Sequence, residues 1–214
     1  MRKILWAAAA LSSLVAATPA FAVGGLSFII DGDTFSQPYS ITNTSTAGEK
    51  VVSFGFDLSS TNFVFDTKTG GVPNSSVGVP FTPRNNTDTL TGLVKPVTVA
   101  DGATFFQIDF TNFTVGKTFS WDIDVDSSKS NGNVTVYGNE LIGAKAFVDF
   151  SNDLRANGVL QAVSGKPRAS AFSVVTVTPT PAVPEPATWA MMILGFGVVG
   201  YALRRRAVAL PQVA

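Results

Sequence analysis

The chain has 214 residues, a formal net charge of zero, no cysteine and no histidine. The missing histidine removes the usual general base and the commonest transition-metal ligand, and Ser–His–Asp and Cys–His catalysis are both excluded. The missing cysteine excludes a disulfide framework, which a single domain of this size does not need.

Residues 1–22 read as a secretory signal peptide. Arg2 and Lys3 form a charged start, Ile4 to Ala17 an apolar run, and Ala20-Phe21-Ala22 a small-x-small cleavage site at Ala20 and Ala22. The apolar run is shorter than the ~20 residues a membrane span needs. An N-terminal signal helix is therefore expected, and export with it.

Residues 23–177 read as the ectodomain. Leaving out Arg2, Lys3, Arg204, Arg205, Arg206 and Glu185 leaves ten basic and fourteen acidic side chains, a net charge of about −4 without a basic cluster. Nucleic acid is not an expected partner. Apolar residues alternate with polar ones at Val52 to Leu58, Phe106 to Phe110 and Trp121 to Val125, the period-2 signature of strands with one dry face. Similar runs centre near Phe28, Tyr39, Val64, Phe81, Leu93, Val136 and Val148, with two more near Val159 and Val174. Gly, Asn, Asp and Ser separate them. The expected fold is all-β, an antiparallel, jelly-roll-like β-sandwich. Gly70 to Asn86 reads as a long loop with at most one short strand. No helical period is expected before residue 187.

The stretch Phe119 to Asn133 is the most suggestive chemically. Asp122, Asp124 and Asp126 fall at alternate positions, on one face of a single strand, ~7 Å apart. Repelling carboxylates in a row call for solvent or cations, and Ca²⁺ is the cation that such oxygen ligands would take. The match to an EF-hand loop is poor, and a wet strand face whose charges discourage aggregation is the alternative. Asp31 and Asp33 form a second DxD, with Asp31-Gly32 also a good turn. Trp121 shares the face of Ile123 and Val125 and reads as core. No GxSxG and no phosphate-binding glycine loop is present, and although Asp is plentiful enough for a two-carboxylate glycosidase, with Glu49 and Glu140 the glutamates of the domain, no enzyme is expected.

Residues 178–187 form a Pro/Thr linker, part of the proline-dense run TVTPTPAVPEP, which favours an extended spacer. Residues 188–206 follow as an apolar helix with an arginine stop, and 207–214 as a short cytoplasmic tail. The uncharged part, Thr188 to Leu203, would be about 24 Å long as a helix, against ~30 Å of hydrocarbon. A single C-terminal transmembrane helix is therefore expected to need local thinning or snorkelling arginines. Those arginines place its end in the cytoplasm.

Pro184, Glu185, Pro186, Trp189 and Ala190, then Gly195 and Gly197, then Arg204, Arg205 and Arg206, stand in the order of a PEPxxWA tail. This segment resembles the PEP-CTERM sorting signal, a tail also catalogued under an ice-binding-protein label. The resemblance implies an exosortase as partner, a Gram-negative host that makes extracellular polysaccharide, an inner-membrane intermediate, and release to the cell surface or matrix. It implies a non-enzymatic structural or interaction role. The alternative is a Ca²⁺-dependent carbohydrate-binding or adhesive module, and after it a secreted hydrolase.

Overall fold

The computed structural model describes residues 24–46, 48–72, 75–129, 135–174 and 186–207. The signal peptide with Ala20 and Ala22, the residues Pro184 and Glu185, nearly all of the linker and residues 208–214 lie outside them. Two compact units divide the chain, and all strands fall within the one spanning Phe21–Pro179.

In chain order the strands are β1 (Leu26–Asp31), β2 (Tyr39–Asn43), β3 (Val51–Asp57), β4 (Phe63–Asp66), β5 (Thr82–Pro83), β6 (Phe105–Phe113), β7 (Thr118–Asp122), β8 (Asp124–Ser127), β9 (Lys145–Phe150), β10 (Arg155–Val159), β11 (Gln161–Val163) and β12 (Lys166–Val174). They form a six-stranded sheet in the order β11-β12-β1-β2-β7-β5, a four-stranded sheet β10-β9-β3-β6 and a two-stranded ribbon β4-β8. All the pairings are antiparallel.

Alternation sets the inner faces. Phe28 lies between Ile41 and Phe172 in one sheet, and Phe54 between Ile108 and Val148 in the other. Across the interior Phe28 meets Phe54 at 5.0 Å and Phe56 at 5.1 Å between ring centroids. Trp121 sits at the middle, fully buried. It stacks on Tyr39 (5.6 Å), Phe119 (5.4 Å) and Phe28 (6.0 Å). Each such pair adds ~0.5–1.5 kcal/mol beyond area burial. The two sheets thus share one aromatic core that needs no cross-link.

Three expected strands turn out otherwise. The run near Leu93 is a short helix, α1 (Thr87–Thr91), bounded by left-handed residues Asn86 and Gly92. Leu93 itself makes only an isolated bridge to Phe110. Near Val136 there is a bridge between Asp33 and Tyr137, then a 3-10 turn, Gly138–Leu141. The run around Ile123 is two strands. Residue 123 pairs with neither sheet, so β7 stays with β2 and β5 while β8 crosses to β4. Among the described residues of the Gly70 to Asn86 stretch, β5 is the one strand, two residues long, with Pro83 on the sheet edge, where a missing N–H costs least.

The second unit contains helix α2 (Pro186–Ala207). It starts with proline, whose absent N–H is harmless in the first turn.

Candidate functional site

The switch at Ile123 decides where the aspartates go. Asp122, still on β7, faces outward and accepts a hydrogen bond from Arg84 Nε at 2.6 Å. Asp124 and Asp126 enter the ribbon. There Asp124 lies directly opposite Asp66, and Asp126 opposite Val64. The other ribbon face, Phe65 and Val125, belongs to the apolar core. The three aspartates the sequence suggested therefore do not stay together, and Asp66 takes the place of Asp122.

None of the ribbon three is on a wet face. Asp66 is 0 % exposed, Asp124 4 % and Asp126 5 %. One carboxylate oxygen from each lies within 4.8 Å of the others. The loop from Ser75 to Val79 folds over Asp66. The Val79 N–H donates to the Asp66 carbonyl at 3.0 Å, and the Asp124 N–H donates to the Val79 carbonyl at 3.1 Å. Gly78 comes so close that a Cβ there would stand 2.6 Å from Asp66 Oδ1 and 2.5 Å from the Lys68 nitrogen. Only glycine lets the loop lie this tightly.

Hydrogen bonding leaves the cluster short of donors. Asp66 Oδ1 accepts from the Lys68 N–H at 3.3 Å, and Asp124 Oδ1 from the Val125 N–H at 2.8 Å. Asp66 Oδ2 and Asp126 Oδ2 are buried and accept nothing. The ion pairs among the described residues are Arg84–Asp122, Lys95–Asp88, Arg155–Asp149 and Lys166–Asp31, so no cation neutralises the three. Burial first, and then the charge of Asp126, push the Asp124 carboxyl up to about 7. Burial, with the charge of Asp66 and only partial relief from Ser75, pushes Asp126 to about 6. The buried Tyr39 hydroxyl is raised well above its usual value, by burial first and then by the charge of Asp124, with only partial relief from Thr34.

The second DxD is already occupied. Asp31 pairs with Lys166. Asp33 accepts from the Ser36 N–H at 2.6 Å and the Ser36 hydroxyl at 2.7 Å. Gly32 turns the chain at φ +115°.

On the outer face of the four-stranded sheet, Phe105 and Phe147 stack at 6.2 Å. They line a surface hollow of about 430 Å³ with Asp57, Lys145, Asn157 and Val159. The Arg155 guanidinium covers Phe147 at 4.2 Å, and Phe105 stays half exposed.

Helix α2 carries no charged residue before Arg204. Ile193, Leu194, Phe196, Val198 and Leu203 are all strongly exposed, and a Cβ at Gly195, Gly197 or Gly200 would meet nothing within 4 Å. Among protein-family models, the PEP-CTERM protein-sorting motif matches residues 182–206. The chain carries a PEP-CTERM sorting signal. Such a signal marks an exported protein that an exosortase handles at the membrane. Pro186, Trp189, Ala190, Gly195, Gly197 and Arg204 to Arg206 of the PEP-CTERM segment fall on α2. Among the described residues no helix is long and apolar enough to cross a membrane. Neither the curated proteins nor the solved structures include a match to this chain.

Proposed function

We propose that this PEP-CTERM protein is a component of the cell envelope or extracellular matrix of a Gram-negative bacterium, with a structural or interaction role and no catalytic one. The observation that carries this is the sorting motif lying on a helix whose described large apolar side chains, from Met191 to Leu203, are all exposed. In water such a surface is costly at ~25 cal/mol per Å². In a bilayer it is at home. We assign α2 as the segment that enters the membrane before processing. Its uncharged stretch is shorter than the ~30 Å hydrocarbon layer, so thinning or snorkelling of Arg204 to Arg206 accompanies insertion. Trp189 then stands at the outer interface, where its amphipathic ring is favoured. The two prolines flanking Glu185 keep the tripeptide extended for a protease to bind as a strand.

Two features support the non-catalytic reading. Histidine and cysteine are absent from the whole chain. Among the described residues, the carboxylate cluster with raised pKa values is buried, and a glycoside hydrolase needs its carboxyl pair open to a sugar.

The reading is tested by C-terminal mass spectrometry of the protein from its host, with and without the exosortase. With the enzyme, the new C-terminus is expected near Pro184–Pro186. Without it, an unprocessed chain is expected in the membrane fraction. An intact tail in the strain that has its exosortase would sink the proposal.

A second reading, a carbohydrate-binding or adhesive module, is favoured by the half-exposed Phe105 beside its hollow. A sugar ring stacked there would be oriented by Asp57, Lys145 and Asn157. Affinity electrophoresis in the host's own polysaccharide checks it. Retardation that Phe105→Ala abolishes is expected, and equal mobility with and without polysaccharide counts against it.

A further inference from the structure

Three carboxylates packed together in a dry place need an explanation in free energy. Like charges placed directly opposite on paired strands, as Asp66 and Asp124 are, destabilise a sheet. Desolvating each charge is a further cost unless it is paired. Arg84 pairs with Asp122 instead, and among the described residues no lysine or arginine forms an ion pair with Asp66, Asp124 or Asp126. The buried oxygens Asp66 Oδ2 and Asp126 Oδ2 lack even a hydrogen-bond donor. Fewer than a tenth of native buried polar groups are left this way, and each calls for a cause.

We propose that Asp66, Asp124 and Asp126 bind one Ca²⁺ ion between the β4-β8 ribbon and the Ser75–Val79 loop. Two things point to an ion rather than to a solvated acidic patch. The carboxylates come from opposite strands and are covered by a loop held at van der Waals limits by Gly78. Their unpaired oxygens are buried, so the missing partner has to be inside the fold. The donor set selects the ion. Oxygen ligands alone suit a hard cation. Ligands ~2.4 Å from a common Ca²⁺ are at most ~4.8 Å apart, and the three oxygens meet that limit. Mg²⁺ binds at ~2.0–2.1 Å, demands octahedral geometry and gives up its waters reluctantly, which suits a closed, dry site poorly. The ion would place two positive charges among three negative ones and fill the coordination that the unpartnered oxygens offer.

The test uses the full-length chain in detergent micelles, stripped with a chelator and titrated with CaCl₂ by calorimetry, with melting followed in parallel. Uptake of one Ca²⁺ per chain is expected, with a melting temperature that climbs with calcium concentration. Asp66→Asn and Asp126→Asn should each weaken binding by roughly tenfold or more, since ligand charge sets affinity in such sites. Asp122→Asn should bind as the parent does. Circular dichroism shows whether each variant is folded, and the titration of the parent chain decides the matter even if one is not. Absence of uptake at millimolar calcium would overturn the proposal and leave a shared proton as the cluster's partner. Equal affinity for Mg²⁺ would overturn the assignment to calcium. Loss of binding in Asp122→Asn but not in Asp66→Asn would overturn the ligand set.

Discussion

At the scale of single residues, Asp124 carries the largest consequence. Its carboxyl faces Asp126, Asp66 and Asp33, all acidic, and the neutral Tyr39 hydroxyl. In the metal-stripped protein its pKa is about 7, whereas the unfolded chain titrates near ~3.9. Between these values the folded state holds a proton that the unfolded state has released, so stability falls as pH rises through the window. Asp126, pushed to about 6, acts in the same direction. Calorimetry in chelator should therefore show a higher melting temperature at pH 5.5 than at pH 8. Asp124→Asn should flatten that slope. A melting temperature that rises over this interval would contradict the placement of the cluster. The surface pair Asp149–Arg155 works oppositely. Arg155 holds the Asp149 carboxyl below its usual range, so its contribution is lost only in acid.

At the scale of elements, α2 and the ribbon contrast. The ribbon buries carboxylates, and the described apolar side chains of α2 are exposed. If membrane insertion holds the unprocessed chain, a charge in mid-helix should release it. Asp at the centre of an inserting helix costs ~2.5–3.5 kcal/mol on insertion scales. Ile193→Asp combined with Phe196→Asp is therefore expected to move the protein from the membrane to the soluble fraction in a strain lacking the exosortase. Retention in the membrane fraction would show that another segment is the anchor. The ribbon also explains a limit of reading by alternation. Asp122, Asp124 and Asp126 sit two apart, as on one strand face. Yet the chain changes partners at Ile123, and that single unpaired residue separates Asp122 from the other two. Asp66 had no mark of its own in FVFDTKTG, where an aspartate before Thr, Lys and Gly reads as the start of a turn.

At the scale of the whole molecule, most of the all-β fold was legible because burying one face of a sheet imposes alternation. Phe28, Phe54, Ile108 and Val148 fall on strands where their runs placed them. What alternation does not carry is pairing. β4 and β8 are joined across some sixty residues, and nothing local records it. The tail was legible for a different reason, since its order of proline, glutamate, tryptophan, glycine and arginine is read as a linear segment without any fold. Pairing also sets the timetable of folding. β1, the first strand, lies between β2 and β12, the last, with Leu26 opposite Val174. A chain threaded outward from its N-terminus would hold β1 with one edge unpaired until Lys166–Val174 had emerged. Such distant partners fold slowly, because loop closure precedes the contacts that reward it. The pairing that binds the sheet together thus makes the completion of its earliest strand wait on its latest one.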